Sequence, residues 1–416
     1  MPSVINRLAL AMTLCALLTT CSSSDDAPNG GSGSGAAPTG PIRFVDVSSE
    51  QLPGADLQGF SMDAKAADVD RDGDQDIVIA HEFQPNILLL NDGAGRFTNA
   101  SADRLPQTSR DSEDIGIADF DGNGSLDAVI VSEDDQVNEL YLNDGRGFFS
   151  DAGDRLPVSG TSNAVLVANI DDNDAPDILI GNNGQNVVLI NDGNANFSDE
   201  TAIRLPVRAD VTQDLELGDV DDDGDLDLLV GNEDANRLLL NNGRGIFTDA
   251  PGQRLPLRQT PEETREADFG DVDGDGDLDI LFANVQLFVA GAQRQNRLLI
   301  NDGRGFFSDE TAQRLPTDDD RSMDGDFIDI DADRDLDIVT ANFDDLAGSR
   351  AAAPYRVYRN NGSGVFEDVT GAVFPAEVTG NGLDIEAIDA NGDGLVDLYL
   401  SSRGGTDRLL LGSRGN

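Results

Sequence analysis

Five carboxylates alternate through the nine-residue run Asp68-Val69-Asp70-Arg71-Asp72-Gly73-Asp74-Gln75-Asp76, and that spacing is suited to holding a hard cation. Ca2+ takes about six to eight oxygens at a flexible distance. Positions 1, 3 and 5 supply short side-chain oxygens, Gly at position 6 permits a sharp turn, position 7 offers its backbone carbonyl, and Asp at position 9 closes the shell. An EF-hand is excluded, because position 12 is apolar (Ile79 here) where that motif needs a bidentate Glu. One such run could be an ordinary Asp-Gly turn. Seven registered copies point to metal.

The copies start at Asp68, Asp119, Asn169, Asp219, Asp271, Asp329 and Asp389, spaced by 51, 50, 50, 52, 58 and 60 residues, the length of a repeating all-β unit. Each loop leads into an apolar strand such as Ile77-Val78-Ile79, then a second such as Ile87-Leu88-Leu89-Leu90. An Asn-Asp-Gly hairpin signal follows, then a strand opened by Phe97, Phe149, Phe197, Phe247, Phe307 or Phe366 that runs toward a Leu-Pro. With a strand before each loop, the unit has four antiparallel strands. The seventh unit ends without its Phe strand, while Phe44-Val45-Asp46-Val47 stands unpartnered before the first loop. Pairing that segment with Leu409-Leu410-Leu411 would satisfy both edges. The expected fold is therefore all-β: a seven-bladed β-propeller of four-stranded antiparallel blades, its ring closed by the N-terminal strand.

The Asp-x-Asp-x-Asp-Gly-x-x-Asp loops and the Asn-Asp-Gly-x-Gly-x-Phe hairpins, as in Asn143-Asp144-Gly145-Arg146-Gly147-Phe148-Phe149, resemble those of the FG-GAP or VCBS repeat proteins, whose relatives include the calcium-binding blades of integrin α subunits. The resemblance covers residues 42–416 and implies up to seven Ca2+. Carried over by position, the ligands are Asp68, Asp70, Asp72 and Asp76; Asp119, Asp121, Asn123 and Asp127; Asn169, Asp171, Asn173 and Asp177; Asp219, Asp221, Asp223 and Asp227. Asp271, Asp273, Asp275 and Asp279, then Asp329, Asp331, Asp333 and Asp337, then Asp389, Asn391, Asp393 and Asp397 complete the set. Position 7 lends its carbonyl at Asp74, Ser125, Asp225, Asp277, Asp335 and Leu395. The sixth loop has Arg334 in place of its turn glycine. The third departs most, with two fewer carboxylates than the fullest loops, Asp174 for Gly and Pro176 at position 8, and is expected to be the weakest site.

Asp and Glu total 79 against 28 Lys and Arg, a formal charge of −51, which argues against nucleic acid as a partner. Arg7, the apolar stretch Leu8 to Leu18 and Leu18-Thr19-Thr20-Cys21 resemble a bacterial lipoprotein signal over residues 1–21, with Cys21 as the lipidated residue; Thr20 departs from the small residue usual there. Residues 22–41 read as a Ser/Gly-rich tether. The chain is expected at the cell envelope, as an outer-membrane lipoprotein or secreted, a monomer touching membrane only through its anchor. Cys15 falls within the signal, so no disulfide is expected in the mature chain, and metal is the substitute cross-link.

The face opposite the loops is the expected recognition surface for a protein or polysaccharide. Long connections at residues 285–296 and 343–354 raise its rim. Five residues before each loop stand Asp63, Asp114, Asp214, Glu266, Asp324 and Asp384, with Ala164 in the third unit. These would ring the channel mouth, to bind a cation or a basic group, or to pair with the repeated arginines Arg104, Arg155, Arg204, Arg254 and Arg314. No catalytic set stands out: there is one His (His81, expected exposed in a connection), one Lys (Lys65) and no Trp. The expected function is non-catalytic binding or adhesion. The alternative is a surface or secreted carbohydrate-active enzyme on a propeller scaffold.

Overall fold

The computed structural model describes residues 41–415 except 135, 172, 257, 259 and 345–352, with backbone alone at 55 and 56. The expected signal, Cys21, nearly all of the tether and most of the 343–354 connection lie outside the described residues.

The fold is all-β. Among the described residues, four strands meet seven times in an antiparallel sheet of propeller type. Sheet 1 is Gln58–Ala67, Asp76–Pro85, Ile87–Asn91 and Phe97–Asn99. Sheet 2 is Ser109–Ala118, Asp127–Ser132, Glu139–Asn143 and Phe149–Asp151. Sheet 3 is Ser162–Ala168, Asp177–Gly184, Val187–Asn191 and Phe197–Asp199. Sheet 4 is Asp210–Gly218, Asp227–Asn232, Arg237–Leu240 and Thr248–Asp249. Sheet 5 is Thr264–Gly270, Asp279–Asn284, Arg297–Asn301 and Phe307–Asp309. Sheet 6 is Ser322–Ile328, Asp337–Asn342, Arg356–Asn360 and Phe366–Asp368. Sheet 7 is Gly382–Ile388, Asp397–Thr406, Arg408–Arg414 and the N-terminal strand Ile42–Asp46.

That last pairing sets Val45 opposite Leu411 and Asp46 opposite Leu410, the partners expected from sequence. Apolar side chains alternate along each strand and bury both faces of every sheet, so the core lies between sheets. One cluster joins Ile328, Val339 and Val357 of sheet 6 to Ile385, Leu398 and Phe44 of sheet 7. Another joins Tyr399 and Leu409 of sheet 7 to Ala64, Ile77 and Leu89 of sheet 1. The first strand of each sheet lies beside the first strand of the next, and that of sheet 7 beside that of sheet 1.

The structure corrects the Phe strands. Rather than running on to Leu-Pro they end after two or three residues, and one helical turn intervenes, as at Ser101–Arg104, Thr201–Arg204 and Thr311–Arg314. A side chain stops the strand: Asn99 Oδ1 accepts the Ser101 N–H at 3.0 Å, while Ser101 Oγ accepts the Leu88 N–H at 2.9 Å.

Phe44 is 3% exposed and meets Phe374 edge-on at 5.4 Å between ring centroids. Phe44→Ala is expected to lower stability by about 3–5 kcal/mol, the range for emptying an aromatic core site. Equilibrium urea unfolding checks this, and a loss under about 1 kcal/mol would mean the N-terminal strand is peripheral to the fold.

Candidate metal centres

Each loop joins the first and second strands of its sheet, and its backbone is set by more than the expected position-6 glycine. Position 6 is left-handed whatever occupies it: φ is +100° at Gly73, +67° at Asp174 and +79° at Arg334. Position 4 is left-handed too, at Arg71 (+64°), Asp222 (+57°) and Ala332 (+57°), a strain that the sequence reading did not foresee. Polar turns hold this shape. Asp68 Oδ1 and Oδ2 accept the Asp72 and Gly73 N–H groups at 3.2 and 3.1 Å, and Asp72 Oδ1 accepts the Asp74 N–H at 3.1 Å. The same bonds recur at Asp119, Asp219, Asp329 and Asp389.

The position-9 carboxylates are buried and tie the loop to the neighbouring hairpin. Asp127 accepts the Phe120 N–H at 2.9 Å and the Asn143 N–H at 2.7 Å. Asn143 Nδ2 in turn donates to the Val69 carbonyl of the preceding loop at 2.7 Å. Asn191, Asn301 and Asn360 repeat that reach to Phe120, Val220 and Val272. Burial pushes Asp76, Asp227, Asp279, Asp337 and Asp397 up to about 7, and Asp127 and Asp177 to about 6; nearby loop carboxylates push the same way, while the N–H groups pull back.

Position 3 carries the strongest indication of an ion. One oxygen of Asp70, Asp221 and Asp273 pairs with Arg104, Arg254 and Arg314 at 3.1, 2.9 and 3.1 Å. Among the described residues, Oδ1 of each of these three, and of Asp331, is buried without a hydrogen bond. Oxygens of Asp68, Asp70 and Asp76 lie within 4.8 Å of one another, as do those of Asp119, Asp121 and Asp127, and of Asp219, Asp221 and Asp223. A buried, donorless carboxylate oxygen beside two or more others fits a hard divalent cation. In the third loop the orphaned oxygen is Asn169 Oδ1, and Asp171 has its arginine, Arg204, at 3.8 Å.

The repeated arginines are therefore corrected. Four of the five meet the loops, not the acidic ring, because five residues of extended strand separate the ring from the loop by roughly 16 Å. Each is also tied to the next hairpin: Arg254 donates to the Arg304 carbonyl at 2.9 Å and lies 4.9 Å over the Phe306 ring. This explains the Gly-x-Gly. A Cβ on Gly305 would stand 2.3 Å from Arg254 Nη1, and one on Gly364 2.4 Å from Arg314 Nη1. Ala195 holds this position in the third hairpin, and there Arg155 is exposed, donating to the Asn194 carbonyl.

The six acidic residues before the loops are also relocated. A bulge precedes each of them in its strand, and four of the six accept N–H groups from the edge of the first strand in the next sheet. Asp63 accepts from Ile115 at 2.9 Å, Asp114 from Val165 at 2.6 Å, Asp214 from Ala267 at 3.1 Å and Asp384 from Ala64 at 3.0 Å. A second set three residues before the loops does the same: Asp268 accepts from Phe327 and Glu386 from Ala66, both at 2.8 Å. The sequence reading missed that set, with Glu216 and Asp326. A cation beside these carboxylates is Lys65, 3.2 Å from Asp63 with its side chain two-fifths exposed.

Burial pushes Asp268, Asp324 and Glu386 up to about 7 and Asp214 to about 6; Lys65 pulls Asp324, Glu386 and Asp214 back. These folded values lie above the unfolded ones, so their stabilising contribution is complete below about pH 4 and is lost as pH rises through 6–7. Glu386→Gln, which keeps the acceptor for Ala66, is expected to stabilise the protein at pH 8 by on the order of 1 kcal/mol and to be neutral at pH 5. Thermal melts in excess calcium at both pH values check this; an equal effect at the two would contradict it.

His81 is corrected from exposed to buried, at 2% exposure, because the strand continues to Pro85. Its Nε2 accepts the Phe60 N–H at 3.1 Å, and burial lowers its pKa. On the face away from the loops, the long connection after Asn284 is pinned by fully buried Glu263, which accepts the Leu287, Phe288 and Val289 N–H groups at 2.8, 3.0 and 2.9 Å. Phe288 stands 73% exposed, with the Arg265 guanidinium 5.2 Å from its ring centre.

No curated protein matches the chain in sequence. Among solved structures it is similar to BBS1N in its crystal structure with ARL6DN, soaked with lead or with mercury: TM-score 0.53 and 11% identity, over 88% of this chain and 96% of that one in each case. It is also similar to an Agrocybe aegerita lectin described by its recognition of non-reducing terminal N-acetylglucosamine, at TM-score 0.45 and 14% identity, over 92% and 87% of the two chains. The first likeness bears on fold alone, and the second carries no argument. A family described as FG-GAP-like repeat matches residues 68–130, 169–230, 219–282 and 342–400, and the first three matches open on the first residue of a loop. Those four segments take in more than half of the sequence, and the chain belongs to the FG-GAP-like repeat family.

Proposed function

We propose that residues 42–416 form a closed seven-bladed propeller, stapled by Ca2+ in its loops, that serves as a non-catalytic binding or adhesion protein at the cell envelope. The observation that carries this reading is the recurrent orphaned position-3 oxygen at Asp70, Asp221, Asp273 and Asp331, each in a loop of crowded carboxylates. Closure is supported by the packing of sheet 7 on sheet 1 and by the N-terminal strand paired inside sheet 7.

When bound, Ca2+ supplies the positive charge that the loop lacks. Side chains at positions 1, 3, 5 and 9, with the position-7 carbonyl, would hold it, while the arginines fix the loop from outside. Two carboxylates about 4 Å apart repel by roughly 4 kcal/mol at an effective dielectric near 20, so the ion relieves a large local cost. Export through residues 1–21 and lipidation at Cys21 belong to the same proposal. The partner, a protein or a polysaccharide, would meet the face opposite the loops, where Glu263 holds Phe288 out to solvent.

Occupancy at tenfold the dissociation constant would contribute about 1.4 kcal/mol per site, or roughly 10 kcal/mol over seven sites. That rivals the whole stability of a typical domain. Excess chelator is accordingly expected to lower the melting temperature by tens of degrees, with recovery on adding Ca2+; an unchanged curve would defeat the calcium reading. A pull-down with and without Ca2+ would then identify the partner.

A further inference from the structure

A cleft of about 380 Å³ opens between sheets 4 and 5 on the face away from the loops. That lies within the usual range of small-ligand sites. Asp234 and Asn236 in the strand 2–3 connection of sheet 4 line it together with Leu255, Pro256 and Arg258, which follow that sheet. Phe282 and Val289 close the far wall, and Val289 is fixed there by its bond to Glu263. The long 285–296 connection thus builds one side of the cleft.

Its polar groups divide into spent and unspent. Arg297 is spent, paired with Glu262 at 3.1 Å and Asp309 at 2.8 Å. Asn236 is spent as well, accepting the Asn232 N–H and donating to Thr264 Oγ1. Arg258 is not: its Nε faces Glu262 at 3.7 Å, but its Nη1 is buried with no hydrogen bond among the described residues. A buried guanidinium N–H left without an acceptor costs about 1–3 kcal/mol, which a ligand oxygen would recover. Exposed Asp234, also in the lining, supplies an acceptor.

Resting on the binding reading above, we infer that this cleft takes one or two residues of a neutral saccharide. Hydroxyl groups both donate and accept, so they can serve Asp234 and Arg258 together, while the C–H faces of the ring lie on the half-buried Leu255, Pro256 and Val289. A carboxylate ligand would satisfy Arg258 but meet Asp234, Glu262 and a chain of net charge −51; an ammonium would meet Arg258.

The test is a glycan array probed with the full chain in calcium buffer, carrying neutral xylo-, manno-, malto- and cello-oligosaccharides beside polygalacturonate and alginate. Binding to a neutral series is expected, weakened about tenfold or more by Arg258→Ala and by Asp234→Ala, as when a hydrogen-bond partner is lost in a closed site. Both variants should keep the wild-type melting temperature. Binding to acidic glycans alone, to none, or undiminished in both variants overturns the inference, as does a protein captured through the same residues. Cleavage of a bound glycan would instead remove the non-catalytic reading and leave the cleft standing.

Discussion

A carboxylate withdrawn from water must be met by a donor or a cation, and this chain places that demand at every junction between sheets. Successive sheets share no full strand ladder. They share apolar faces and carboxylate oxygens: Asp127 holds its own loop and the hairpin beside it, Asn143 reaches back from that hairpin to the previous loop, and Asp63 and Glu386 cap N–H groups on a neighbouring strand edge. Where donors are plentiful the carboxylates are satisfied. Where they run out in the loops, at the position-3 Oδ1 atoms and at Oδ2 of Asp227 and Asp337, the chemistry calls for an ion.

Arginine and glycine are coupled to that demand. The guanidinium needs a planar approach to both Asp221 and the Arg304 carbonyl, and only a residue without Cβ leaves that approach open, as at Gly305. Where Ala195 stands instead, Arg155 turns outward. The loop, the helical turn that carries the arginine and the next hairpin therefore act as one unit, repeated with local losses. Rigid repeated junctions of this kind leave the opposite face free to vary, and there buried Glu263 anchors the tip of the long 285–296 connection.

Much of the fold was legible because period-2 apolar runs, Asn-Asp-Gly turns and a spacing near 50 residues each fix one feature without help from the others. The N-terminal strand was legible from its likeness to the Phe segments, and its partners are the residues expected. The sites were legible only in part. Loop positions follow from ligand chemistry, yet the left-handed position 4 at Arg71 and Ala332 does not, since neither residue prefers it. Arg104 and its equivalents were visible as a repeat, but the one partner set offered for them was the acidic ring, whereas Arg104, Arg254 and Arg314 meet loop carboxylates. Spacing gives no depth along the strand, and a single helical turn returns the arginine to the loop end. His81 was misplaced for a similar reason, because the length of its strand depends on pairing between Glu82 and Asp111 of the next sheet.

If the loops hold ions, their number is measurable. Native mass spectrometry of the chain, stripped by chelator and re-equilibrated with Ca2+, counts them directly. Six or seven tightly held ions per chain are expected, the third loop being the one to lose its ion first, with one fewer when Asp221 is changed to Asn. A count no higher than for a calcium-free acidic control protein, or one unmoved by Asp221→Asn, would contradict calcium binding by the loops.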